Sequence, residues 1–400
     1  MRRHIWLGVF GSGLLLGCGA PEPVFETGEK DRALAKEALI VDTHIDVPYR
    51  LFNQYEDVAN ATDSGDFDWP RARKGGLDVA FMSIYIPADY QQDGGAREHA
   101  DQLIDMMETL ATENPGKFSI AVGPEEARSV AAGGRIALAL GMENGAGIED
   151  RLENLAHFYE RGIRYITLTH SKANLICDSS YDDERPWGGL SPFGVQVVRE
   201  MNRLGIMIDI SHVSDEAFFD VLEITSAPLI ASHSSARHFT PGWERNMSDA
   251  MIEALARNDG VLQINFGSTF LTQAARDWSD RYQSERDALM EETGWDRDGP
   301  EVKAWAKKYR AARPYPYATL DDVLNHIDHV VDLVGIEHVG IGSDYDGVGD
   351  SLPIGLKDVS YFPALVAGLR KRGYSEPDIR LILGENLMRV WLAVERQAKR

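Results

Sequence analysis

Cysteine is almost missing from this chain of 400 residues: only Cys18 and Cys177 occur. Two thiols build neither a disulfide framework nor a cysteine-based zinc site. Positive charge is also in short supply, with Lys plus Arg at 41 against 63 Asp plus Glu and a formal net charge of -22. That balance repels phosphate backbones and anionic headgroups, so nucleic acid is excluded as a partner. Long hydrophobic runs are absent too, since the apolar stretch from Ile5 to Leu16 is too short to span a bilayer. Neither an internal repeat nor a low-complexity tract occurs, and no second domain announces itself. What remains is an ordinary globular composition, 44% hydrophobic and 26% charged, able to bury a large core.

The first 18 residues read as an address. Arg2 and Arg3 precede the short apolar stretch, and Leu15-Leu16-Gly17-Cys18 resembles a lipobox, in which cleavage before the cysteine leaves a thiol that carries lipid. The expected organisation is a lipoprotein-type signal at 1–18, a tether at 19–33 and one domain at 34–400. The expected location is the bacterial cell envelope, with the membrane reached through lipid on Cys18. Gly19 rather than an Asp after the cysteine leans towards the outer membrane, on its periplasmic side. Cys177 is left as an unpaired, structural thiol.

Eight short apolar runs follow: Leu39 to Asp46, Asp78 to Ile86, Arg135 to Glu143, Tyr165 to His170, Gly205 to His212, Ala227 to Ser234, Gly260 to Phe266 and His338 to Asp344. Amphipathic stretches with helical periodicity separate them. Strands apolar on both faces, alternating with helices eight times, predict a parallel sheet closed into a (β/α)8 TIM-type barrel. The step from the seventh run to the eighth is long, and residues 271–317 within it are charged, aromatic and helical in composition. This is a helical insertion placed to rise over the ligand-binding face. Its Trp and Tyr residues read equally well as a small core of their own or as substrate contacts.

The ionisable residues fall at the ends of the runs. His44 and Asp46 close the first, Glu143 the third, His170 the fourth, His212 the fifth, His233 the sixth and Asp344 the eighth. In a closed parallel barrel those ends converge on one mouth. His44 and Asp46 stand at i and i+2, so strand alternation turns both the same way. Three imidazoles, of His44, His212 and His233, with the carboxylates of Asp46, Glu143 and Asp344, suit a binuclear metal site bridged by a Glu or Asp. Nitrogen and oxygen donors favour zinc and leave manganese, cobalt and iron open. Buried without a cation, so many ionisable groups would each cost several kcal/mol. His157, His326 and His329 read as helix packing, and His338 as lying at the opposite end of the barrel. His238 sits in a loop after the sixth run.

The segments VDTHIDVPYRL (41–51), GMENG (141–145), RYITLTH (164–170), GLSPFGVQVVREMNRLGIMIDISHVS (189–214), APLIASHSSAR (227–237), RNMSD (245–249) and HVGIGSDYDGV (338–348) resemble the membrane dipeptidase family, also called renal dipeptidase or peptidase family M19, within the amidohydrolase superfamily. Family-like sequence runs on to GENLMRVW at 384–391. The resemblance implies a barrel holding two zinc ions and hydrolysing dipeptides, including those with a D-residue at the C-terminal position. It implies His44 and Asp46 at the first ion, Glu143 bridging, His212 and His233 at the second, and Asp344 contacting metal and moving the proton. Asp346, two residues on, is the competing choice for that proton carrier. His170 matches the histidine that polarises the scissile carbonyl, and Arg245 the arginine that receives the substrate carboxylate. Family members often pair, so a homodimer is implied as well. Glu143 replaces the carboxylated lysine of other superfamily members, and the segment after His170 departs from animal relatives.

Peptide hydrolysis needs an activated water, a stabilised oxyanion and a proton for the amine. A water shared by two ions supplies the first, an ion with His170 the second and Asp344 the third. Taken without the resemblance, Arg245 reads as a surface ion pair with Glu244 or Asp249. The alternatives to a dipeptidase are another metal hydrolase of the superfamily, acting on a lactone or cyclic amide, and a non-catalytic metal-binding lipoprotein.

Overall fold

A computed structural model describes residues 26–398. The signal, Cys18 and tether residues 19–25 lie outside them. The apolar runs form strands because bulky side chains fill both faces: β1 (Ile40–Ile45), β2 (Leu77–Tyr85), β3 (Phe118–Ile120), β4 (Ile136–Glu143), β5 (Ile163–Thr167), β6 (Met207–Asp209), β7 (Ile230–Ser234), β8 (Val261–Ile264) and β9 (Val339–Ile341). The ring runs β1-β2-β4-β5-β6-β7-β8-β9, and every pairing is parallel. Just beyond β9 it comes together: Ile45 bridges Tyr345, the Asp344 N–H donates to His44 O at 3.0 Å, and the Asp46 N–H donates to Tyr345 O at 2.9 Å. Eight parallel strands with helices between them form the expected (β/α)8 barrel.

Two details differ from the sequence reading. β3 is a ninth strand outside the ring. It pairs with Ile136 to Leu138 of β4 because β5 joins β4 only from Leu140 onward, leaving that edge of β4 open. Helix Glu29–Glu37 starts inside the expected 19–33 tether. The Gly28 N–H donates to the Asp31 carboxylate at 2.8 Å, Asp31 pairs with Arg370 at 3.2 Å, and Leu34 and Ala35 are buried, which holds the segment to the barrel.

The core has two layers. Val41, Val79, Phe81, Ala137, Ala139 and Tyr165 fill the barrel, closed below by helix Asn386–Ala398, whose Trp391 meets Phe81 with ring centroids 5.1 Å apart. A larger layer packs the outward faces of the strands against the surrounding helices. The insertion forms helices Gln273–Thr293 and Pro300–Ala312. Its aromatics pack on one another, Trp278 against Tyr282 (5.2 Å), Tyr309 (5.6 Å) and Tyr315 (5.0 Å), so they are the excursion's own core.

Candidate metal centre

The strand ends bring His44, Asp46, Glu143, His170, His212, His233 and Asp344 into one cluster. Glu143 is its hub. Its Oε1 lies 3.1 Å from His212 Nε2, 3.3 Å from His233 Nε2 and 3.5 Å from His170 Nε2, and its Oε2 lies 3.5 Å from His44 Nε2. His44 Nε2 is also 3.4 Å from Asp46 Oδ2, and Asp344 groups with that pair. The register of β1 slips between Asp42 and Ile45, and there the His44 ring comes to lie on His233, with centroids 3.7 Å apart. Asn144, His212, Asp344 and Asp346 have φ of 79°, 69°, 63° and 67°. Non-glycine residues rarely occupy that left-handed region, and strain of this kind concentrates at working sites.

The supporting hydrogen bonds fix which ring nitrogen faces the cluster. The Tyr165 hydroxyl donates to Thr43 O at 3.0 Å, so at 2.9 Å from His44 Nδ1 it accepts that N–H. The Ser232 hydroxyl donates to Asp209 at 2.6 Å and therefore accepts from His233 Nδ1 at 2.7 Å. Each imidazole thus presents a bare Nε2 to carboxylate oxygen. His44 Nε2 is buried and has no hydrogen-bond partner, and a lone pair between two carboxylates is repulsive unless a proton or a metal cation sits there. Burial opposes charge on His44, yet Tyr165, Asp46 and Glu143 together push its pKa well above the ordinary value. Glu143 is buried as well, and the imidazoles of His44 and His170 outweigh burial to hold its carboxyl well below the usual range. Donor spacings of 3.1 to 3.5 Å match the edge of a tetrahedron with bonds of about 2.1 Å, roughly 3.4 Å. The residues therefore fit divalent metal.

Asp344 is pushed up to about 7, first by burial and then by Asp46, and Asn265 Nδ2 donates to its Oδ2 at 2.7 Å. Asp346 turns away, pairing with Arg50 at 3.2 Å. Arg245 is not on the surface. It is buried, donating to Ser234 Oγ at 2.6 Å, to His233 O at 2.8 Å and to His212 Nε2 at 3.1 Å. Glu244 pairs with Arg185 instead, and Asp249 with His329. Among the described residues Arg245 has no carboxylate partner.

The model of one family, membrane dipeptidase (peptidase family M19), matches residues 29–400. The chain belongs to that family. An uncharacterized dipeptidase of Schizosaccharomyces pombe is 34% identical over 390 residues, covering 92% of this chain and 83% of that protein. The crystal structure of the probable dipeptidase PvdM from Pseudomonas aeruginosa superposes with a TM-score of 0.79 at 28% identity, covering 92% of this chain and 98% of that one. A metallopeptidase of Rhodobacter sphaeroides, liganded with a phosphinate mimic of the dipeptide L-Ala-D-Ala, gives 0.73 at 26% identity and covers 89% and 99%. The protein is accordingly a metallodipeptidase of family M19.

In this M19 chain the other histidines among the described residues stay out of the cluster. His157 pairs with Asp101 at 2.9 Å, His326 is buried on Leu271 O, and His338 bonds Gly260 O at the far end of β8 and β9. Cys177 is a free, buried cysteine whose thiol burial pushes well up, which leaves it inert. The supporting residues Tyr165, Asp209, Ser232 and Asn265 escape the sequence reading. Their one signal is a polar group inside an apolar run close to a ligand position, as Ser232 precedes His233. A cavity of about 770 Å³ opens between the loops after β2, β4 and β5, and none of the seven clustered residues lines it.

Proposed function

We propose that this protein is an exported, lipid-anchored dipeptidase working with two zinc ions. The observation that carries the reading is the buried His44 Nε2, turned as a bare lone pair towards two carboxylates. His44 and Asp46 would hold one ion, with Asp344 beside it, and His212 and His233 the other, with Glu143 between them. Nitrogen and oxygen donors without thiolate suit zinc. When bound, such ions supply Lewis acidity and a water acidic at neutral pH.

The chain's own residues complete the chemistry. Asp344, with a pKa raised to about 7, can take a proton from the attacking water and return it to the departing amine nitrogen. His170 keeps 21% of its side chain exposed and can meet the scissile carbonyl, a contact worth about 2.7 to 4 kcal/mol where charge develops. Arg245, buried without an anion of its own, suits the terminal carboxylate, which limits the substrate to a dipeptide. The ligand of the Rhodobacter relative supports acceptance of a D-residue at the second position.

The test is release of free amino acids from a dipeptide panel varied in the configuration of the second residue, with and without chelator. Turnover abolished by chelator and restored by zinc is expected; no turnover with zinc loaded would overturn the reading. Replacing Arg245 by Ala should raise KM about 10- to 100-fold, the loss of a charged hydrogen bond, while leaving a C-terminally amidated dipeptide unaffected. Export and anchoring rest on residues 1–18 alone: Cys18→Ser should move the protein out of the membrane fraction. Pairing into a homodimer is checked by light scattering, where a monomer mass would reject it.

A further inference from the structure

A second group of metal-ligating side chains stands apart from the mouth and shares no residue with it. His238 lies in the turn Arg237–Phe239 after β7, Asp249 opens helix Asp249–Arg257, and His329 lies on helix Leu320–Val334. One donor atom from each lies within 4.8 Å of the others. His329 Nε2 is 2.8 Å from Asp249 Oδ1, and the rings of His238 and His329 stack with centroids 4.5 Å apart. Phe239 braces the pair, at 4.9 Å from His238 and 5.7 Å from His329, with His326 behind it at 4.3 Å.

We propose that His238, Asp249 and His329 form a further binding site for a divalent transition ion such as zinc. Two imidazoles and one carboxylate are a donor set that such ions accept, with water completing the coordination. Tetrahedral donors stand roughly 3.4 Å apart for bonds of about 2.1 Å, so only a small adjustment is required. The exposed His238 ring can swing in, while the partly buried His329 and Asp249 exchange their 2.8 Å hydrogen bond for the ion and part slightly. A plain ion pair with a stacked ring also satisfies His329 and Asp249, but it gives the His238 ring no polar role.

The site's position gives it a consequence. The turn and the helix start flank residues 240–248, the segment that carries Arg245. An ion held by both and by helix Leu320–Val334 fixes the two ends of that segment, so it stabilises the folded protein by selective binding. This inference does not depend on the chemistry at the barrel mouth.

The full chain is saturated with zinc, freed of unbound metal by brief gel filtration at a fixed low zinc concentration, and assayed for bound zinc and for thermal unfolding. The wild type is expected to bind one zinc more than either His238→Ala or Asp249→Asn, and added zinc should raise its melting temperature further than theirs. Dipeptidase activity should be equal in all three. Equal zinc content in the wild type and both variants, or an equal thermal response in all three, would overturn the proposal.

Discussion

Tyr165 shows how one side chain can govern a site it does not enter. Its hydroxyl spends its proton on Thr43 O and so obliges His44 to donate from Nδ1, leaving Nε2 for the cluster. Tyr165→Phe keeps the ring and its packing but removes that constraint. Metal affinity, read by competition with a chromogenic chelator, should fall about 10- to 100-fold, as for other partners that orient a metal ligand; unchanged affinity would show that the orientation is set elsewhere. Gly347 is a second case. A Cβ there would sit 2.2 Å from both Asp344 Oδ1 and Asp46 Oδ2, so the two carboxylates can approach only over a bare backbone. Gly347→Ala should remove most of the dipeptidase activity without changing the circular dichroism spectrum, and full activity would contradict the close approach.

At the scale of elements, the loop after β7 and the first turn of the insertion are joined through one buried ring. His326 Nδ1 accepts the Ala236 N–H at 3.1 Å and its Nε2–H donates to Leu271 O at 3.0 Å, an arrangement open only to the neutral tautomer. Burial lowers its pKa to about 4. The unfolded chain takes up this proton near pH 6.5 and the folded chain only near 4, so the stability it contributes is complete above about 6.5 and is lost as the pH falls towards 4. The span corresponds to about 3 kcal/mol. Urea unfolding between pH 7 and 4 should show this loss in the wild type and a shallower one in His326→Gln; parallel profiles would contradict it.

Elements also differed in how well the sequence revealed them. Strands β1, β4, β6, β7 and β9 stand out because each lies in a continuous apolar run that stops at an ionisable group, His44, Glu143, His212, His233 or Asp344. β3 does not, since Phe118–Ile120 is three residues long and owes its existence to an edge of β4 that only the assembled sheet leaves open. The start of helix Glu29–Glu37 was hidden for a similar reason, because it depends on Arg370, distant in the chain.

Over the whole molecule, closure of the sheet turns residues spread over 300 positions into neighbours. The proposed ligand set is legible because its members close apolar runs, with His44 and Asp46 sharing the first. The supports are not: Asp209 matters because Ser232 and Thr167 reach it from other strands, and the burial of Arg245 follows from a loop path that local pattern does not encode. His329 likewise reads as helix packing, and His238 as a loop residue, until two helices and a turn set them beside Asp249. The net charge of -22 adds a field that favours cations across the surface, and the mouth concentrates it with Asp46, Glu143 and Asp344.

The most direct measurement is anomalous diffraction at the zinc edge from crystals of the zinc-loaded protein. Two peaks at the barrel mouth are expected, one beside His44 and Asp46 and one beside His212 and His233, with Glu143 between them. A mouth without anomalous density in crystals whose dissolved protein still cleaves dipeptides would contradict a metal centre built from these residues.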